Sequence, residues 1–457
     1  MIRSEPRERA SGALYIAGLT HLALWLGVPI LHASAILYWS GGSPLEAATL
    51  FLGGQVSLAI AASWSINRGL LIHDIRLGFA VLTGLYALVN PIATIFLGKY
   101  EVRGIAGAVL LYATGMVGFN AVQLLTARPF QGSPGHVRHV GKTDFVLSAL
   151  LVAGLALTLF IGERQGMQPT IGRIAGSRSG LGETNQAWVV TIMIMQGLGI
   201  YGMYALRDLG LFARAVILLC IAGFVLYCLG LGNRRDFTPL LVFAIGYYSS
   251  LRRISLRLHH VVALALILAV FIMYLGVARL SEEIGVDPKD TLILAASYNE
   301  FTFPIETAAF YATSWNHQPR LGSTYLLRFP QYLIPRALWP TKPVGLGVEF
   351  LVDAVGTSEW QGYAYTPVTE AFVNFGWAGP FIVFAAIGAL LNALIAAGRS
   401  YFGLYLIVFS SLPDFSRGES GGWAYQLFIV FVAYAFACWL SGGRLRDAPD
   451  QPVRAVV

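Results

Sequence analysis

Arg234 and Arg235 stand side by side in the run GNRRDF (232–237). Arg417 opens RGE (417–419), and Arg320, Arg328 and Arg336 lie in HQPRLGSTYLLRFPQYLIPRALWPTKP (317–343), with Lys342 near its end. A guanidinium does not lose its proton, and its fork of N–H donors matches phosphate oxygens. A cluster of these groups suits a membrane-anchored pyrophosphate; snorkelling anchors are the plain alternative for Arg234 and Arg235. Glu370 sits at the entry of an apolar helix, where a carboxylate gains from the N-terminal dipole. Asn374 lies four residues on and shares its face, and Tyr363 and Tyr365 come just before. That face suits a sugar hydroxyl, which Glu370 would polarise as general base, with His317 as second choice. Capping or an ion pair is the alternative for Glu370. Tyr325, Trp339 and Trp360 are candidates to stack on sugar faces.

The elements that must hold these residues are membrane helices. The chain has 457 residues, 56% apolar and 12% charged, against about 25% charged in soluble domains. Apolar runs of about 20 residues, the length that crosses a bilayer, recur from end to end. About twelve segments are expected, at 13–37, 44–66, 75–97, 104–126, 144–161, 187–206, 210–231, 237–251, 260–279, 364–397, 400–411 and 422–440. The fold class is therefore all-α and polytopic, with residues 1–457 as a single transmembrane domain. The first run is read as a retained helix rather than a cleaved signal.

With the N-terminus in the cytoplasm, the inner loops hold 17 Lys and Arg against 7 Asp and Glu, a net +10, and the outer side carries −3. Basic residues in short cytoplasmic loops set orientation, so both termini are expected inside. The net +7 then reflects topology and anionic lipid, and a nucleic-acid partner is excluded. The loop 280–363 is the longest and faces outward, with 13 aromatics. Its prolines at 330, 335, 340 and 343 forbid one long helix, and two short interfacial helices fit its centre.

Other chemistries find no support. Cys220, Cys228 and Cys438 all lie in apolar runs, which excludes a disulfide framework or zinc spacing. No metal-ligand set is evident outside, and no Walker-type loop, so neither cofactor nor ATP is expected. If a metal were needed, Glu46 or Asp414 would be suspects. Mid-membrane polar residues such as His21, Asn90, Asn120, Gln196 and Asn392 are uncharged or nearly so, which argues against a pump or proton-coupled carrier.

IPRALWPTKP (334–343), TPVTEAFVNFGWAGP (366–380) and RGE (417–419), in this order, resemble the Wzy-type oligosaccharide repeat-unit polymerases of bacterial inner membranes, which make O-antigen and exopolysaccharide. GNRRDF resembles that family's Gly-x-Arg element. The similarity covers roughly 230–425; the first 200 residues match only in hydropathy. The resemblance implies a fold related to C-type glycosyltransferases. It implies two undecaprenyl-diphosphate oligosaccharides meeting at the periplasmic face, in membrane lipid, without metal or nucleotide. The growing chain would leave its carrier for the non-reducing sugar of the incoming unit. Arg235 and Arg417, then Arg328 and Arg336, are expected to stabilise the leaving diphosphate. Arg234, Arg320, Lys342, Asn374, Tyr365 and Trp339 are expected to bind substrate. A chain-length regulator is an open partner. An O-antigen ligase-like enzyme and a polysaccharide flippase are the rival readings.

Overall fold

A computed structural model describes residues 26–97, 104–130, 143–167, 169, 186–231, 234–252, 255–256, 302–314, 318–334, 338–356, 364–398 and 400–442. His317, Arg336, Trp360, Tyr363, the apolar run 260–279 and the first part of the run 13–37 lie outside the described residues. So does the side chain of Arg234.

Inside a bilayer the backbone has no water to bond to, so each crossing segment closes its own hydrogen bonds as a helix. Among the described residues eight helices are long and apolar enough to cross. The chain is a multi-pass, almost entirely helical membrane protein. In order it runs α1 (Leu26–Ser40), α2 (Pro44–Asn67), α3 (Ile75–Leu97), α4 (Ile105–Thr126), α5 (Thr143–Arg164), α6 (Gln186–Ala205), α7 (Leu211–Gly230) and α8 (Thr238–Leu251). Prolines open α2 and α8 in the first turn, where a missing N–H costs nothing.

Of the two short helices expected in the centre of the loop 280–363, the described residues show one. The loop's described part holds three helices, α9 (Thr302–Ser314), α10 (Ser323–Leu333) and α11 (Leu346–Val355). α9 is no surface cap: it packs against α3, α4 and the later α12, with Ile305, Thr307 and Ala308 fully buried. α10 leaves leucines on its surface and turns polar residues inward. Leu326 is 75% exposed and Leu327 lies beside it, while Thr324 and Arg328 point inward.

The expected single helix over 364–397 is broken. α12 (Pro367–Phe375) ends at Gly376, whose φ of +64° only glycine adopts without strain, and α13 (Gly379–Ala397) follows. The expected helix over 400–411 is short, α14 (Phe402–Ser410), and continues as α15 (Leu412–Arg417) past Pro413. At about 1.5 Å per residue the stretch 402–417 rises roughly 24 Å, less than a hydrocarbon core of about 30 Å. A turn then leads from α15 into α16 (Ser420–Leu440).

The opposite end of the bundle is tied by polar contacts. Leu70–Leu71 (β1) pairs antiparallel with Ser255–Leu256 (β2). Arg76 and Asp74 form a buried ion pair, Nη2 to Oδ2 at 2.8 Å, and Ser63 and Asn67 donate to the same carboxylate. Tyr405 on α14 accepts from the Ile75 amide at 2.9 Å and donates to the His73 carbonyl. Burial pushes the His73 imidazole down to about 4, with Asp74 opposing that shift.

Candidate functional site

The turn from Asp414 to Gly421 gathers several of the residues the sequence singles out. Asp414 is 5% exposed. Its Oδ1 accepts from Arg235 Nε at 2.5 Å and its Oδ2 from Gln426 Nε2 on α16 at 2.9 Å. Arg235 comes from the 3₁₀ turn Arg234–Asp236 that precedes α8. Its side chain is 53% exposed. The neighbouring Asp414 carboxylate pushes its pKa up. Arg417 closes α15 three residues after Asp414, half-buried. Gly418 donates its N–H to the Asp414 carbonyl at 2.8 Å and brings its Cα close to the guanidinium of Arg235.

Glu419 and Ser420 fasten α10, α11 and α12 to the head of α16. Glu419 accepts from the Leu346 amide at 2.6 Å and from the Tyr332 hydroxyl. Burial, then the Glu419 charge, raises the Tyr332 phenol well above its ordinary value. Ser420 donates its backbone N–H to Glu370 Oε2 and its hydroxyl to Glu370 Oε1, both at 2.8 Å. Thr324 of α10 donates to Oε1 at 2.7 Å. Glu370 therefore takes three donors, has no exposed surface, and meets the N-terminal amide of α16, where a carboxylate is favoured. In this conformation it clamps α10, α12 and α16 together. The base role expected for it requires that the clamp open.

Asn374, one turn along α12, is fully buried too. Its Oδ1 accepts from the Gly322 amide at 3.0 Å, and its Nδ2 donates to Thr324 Oγ1 at 2.6 Å. It organises the loop before α10 and offers no surface to a sugar. Glu349 on α11 bridges Arg320 and Arg328. Arg328 spends its remaining fork on the Val344 carbonyl at 2.5 Å. Both arginines serve the loop, because a buried guanidinium must find partners and Glu349 is at hand. The Arg328 backbone lies where a Cβ on Gly421 would approach within 2.5 Å of Arg328 Cβ, so only glycine at 421 lets α10 seat on α16. Phe329 meets Phe428 at 6.0 Å and Tyr332 stacks on Tyr425 at 5.8 Å along the same seam.

Lys342 caps the Ile334 carbonyl at 3.0 Å and sits over the Tyr332 ring. Tyr365 is buried against Tyr311, so it presents no face to a sugar here. Tyr325 is half-buried and stacks on Phe375 at 6.4 Å. Trp339 is half-buried at the turn that leads to Lys342. The structure thus brings together Arg235, Arg417, Glu370, Asn374 and Arg328, while Arg320 and Lys342 join through the loop. Asp414, Glu349, Glu419, Ser420 and Thr324 were missed as their partners. The one local signal was Glu419, two residues after Arg417 in the RGE run.

No family model, no curated protein and no solved structure matches the chain.

Proposed function

We propose that the chain is a Wzy-type polymerase of undecaprenyl-diphosphate-linked oligosaccharide repeat units, working at the periplasmic face of the bacterial inner membrane with both termini in the cytoplasm. In this reading it has about twelve crossings and a fold related to the C-type glycosyltransferases. The observation that carries the proposal is the meeting of Arg235 and Arg417 at one turn: Arg235 bonds to Asp414, and Arg417 ends the same short helix. A lipid diphosphate arriving from the outer leaflet meets cationic donors at headgroup depth. The sequence resemblance runs through the same residues.

Breaking the anomeric C–O bond leaves the electron pair on the diphosphate and positive charge on the sugar ring. Fixed donors aimed at that diphosphate lower the barrier most in a water-poor site. Arg235 and Arg417 have this role. The acceptor sugar hydroxyl attacks the anomeric carbon and gives up its proton to a base. Of the three carboxylates at the turn, Glu370 and Asp414 are buried, and Glu419 is half-exposed. Glu419 is the least buried of the three and is the base in this reading once it releases the Tyr332 hydroxyl that its Oε1 accepts, and Glu370 positions the turn that carries it.

The test is a strain that lacks the gene. A single repeat unit still attached to the cell-surface acceptor, with no long chains, is the expected result. Complete loss of attached repeat units would point to a ligase. Lipid-linked units trapped on the cytoplasmic side would point to a flippase.

A further inference from the structure

Arg235 touches Asp414 through Nε alone. A guanidinium has one donor at Nε and four on its two terminal nitrogens. Among the described residues, the terminal nitrogens of Arg235 have no hydrogen-bond partner. Asp414 in turn is not free to rotate, because its other oxygen is held by Gln426 on α16. Gln426 and Asp414 are both buried, whereas Arg235 is half-exposed. The arrangement is a chain from a membrane helix to a fixed carboxylate to one edge of an exposed guanidinium. Pinning Nε fixes the plane of the group and leaves its far edge outward. That edge presents two parallel N–H donors, the geometry that matches two oxygens of a phosphate. Nη2 stands 3.7 Å from where a Cβ on Gly418 would lie, so the fork lies alongside Gly418.

We propose that Asp414 is a positioning residue: it holds Arg235 by its Nε edge so that the forked end of the guanidinium receives the diphosphate of a polyprenyl-linked substrate beside Gly418. The proposal rests on the polymerase reading for the identity of the diphosphate. It adds a residue that the sequence treats only as a suspect metal ligand. Asp414 does not touch substrate; it acts through Arg235. The two single substitutions should therefore not add.

The experiment is a double-variant cycle on the purified full-length protein in detergent, read as affinity for farnesyl diphosphate with farnesyl monophosphate as the control. Arg235→Ala and Asp414→Asn are each expected to weaken diphosphate binding about tenfold or more, the scale of a lost charge-assisted fork. Adding Asp414→Asn to Arg235→Ala is expected to change nothing further, since coupled residues fail to add. Gln426→Met, which frees the second oxygen of Asp414, should give a smaller loss, roughly threefold, and serves where Asp414→Asn accumulates poorly. Wild-type affinity in both Asp414→Asn and Gln426→Met overturns the proposal. So does a double variant whose loss is the product of the single ones, because Asp414 then acts independently of Arg235. Absence of diphosphate binding by the wild-type chain overturns it as well. Diphosphate binding that follows the cycle, without polymer formed from lipid-linked repeat units, leaves this inference standing and removes the polymerase reading.

Discussion

The glutamate at 370 shows how burial alters a residue's expected role. Its sequence position suggests a base with a free face, whereas its carboxylate takes Thr324, the Ser420 hydroxyl and the Ser420 amide. Glu370→Gln replaces one acceptor oxygen with a donor amide facing donors, which costs about 1–3 kcal/mol as a buried group goes unmatched. A lower melting midpoint in detergent, with turnover per folded enzyme changed less than about tenfold, is the expected outcome. A fall of about 100–10,000-fold in single-turnover rate at unchanged stability would restore the general-base role. Arg417 makes the opposite case. Arg417→Lys keeps the charge but loses the fork, and should recover little of the activity that Arg417→Ala loses, measured as polymer length at native expression. Long-chain polymer from Arg417→Ala would return that arginine to a lipid anchor. These residues were legible because arginine is costly in an apolar chain and stands out. Their partners were not, because Arg235 and Asp414 lie 179 positions apart and Glu370 and Ser420 50 apart, and no local periodicity links them.

At the scale of elements, the long helices were read closely. The run 44–66 became Pro44–Asn67 and the run 210–231 became Leu211–Gly230, since bilayer thickness dictates such lengths. α9 escaped notice: TFPIETAAFYATS mixes small and hydroxyl residues, and its burial depends on neighbours rather than on its own hydropathy. The break at Gly376 was hidden for a similar reason, as apolar residues continue on both sides. α11 is held to α10 by one carboxylate, Glu349, across Arg320 and Arg328. Glu349→Ala should release that segment at a cost of about 1–3 kcal/mol. Limited proteolysis of the detergent-purified protein should then cut between residues 334 and 350 faster than in wild type, with the membrane helices intact. An unchanged cleavage rate would show that the aromatic seam along α16 suffices to hold the loop.

For the whole molecule, the charge split and the buried network at the basic end both bear on how the bundle sits and holds. The three cysteines are buried, so an introduced thiol can be read against a low background. Thr341→Cys should react with an impermeant maleimide in intact spheroplasts, and Arg252→Cys only after permeabilisation; the reverse pattern would invert the proposed topology. Stability should also depend on acidity. The folded state holds His73 neutral, with a pKa near 4 against 6.5 when unfolded, so between those values the unfolded chain binds more protons. Stability is full above about pH 6.5 and falls by up to ~3 kcal/mol as pH drops towards 4. His73→Gln should flatten the melting midpoint between pH 6.5 and 5, and an unchanged slope would assign it to other groups. The central claim is that Arg235 and Arg417 stabilise a leaving lipid diphosphate. It is tested most directly by the rate at which purified enzyme releases undecaprenyl diphosphate from saturating lipid-linked repeat units in excess chelator. One diphosphate released per linkage formed by the wild type, and release about 100–1000-fold slower with Arg417→Ala, is the predicted result; no release by the wild type, or an unchanged rate in the variant, would contradict it.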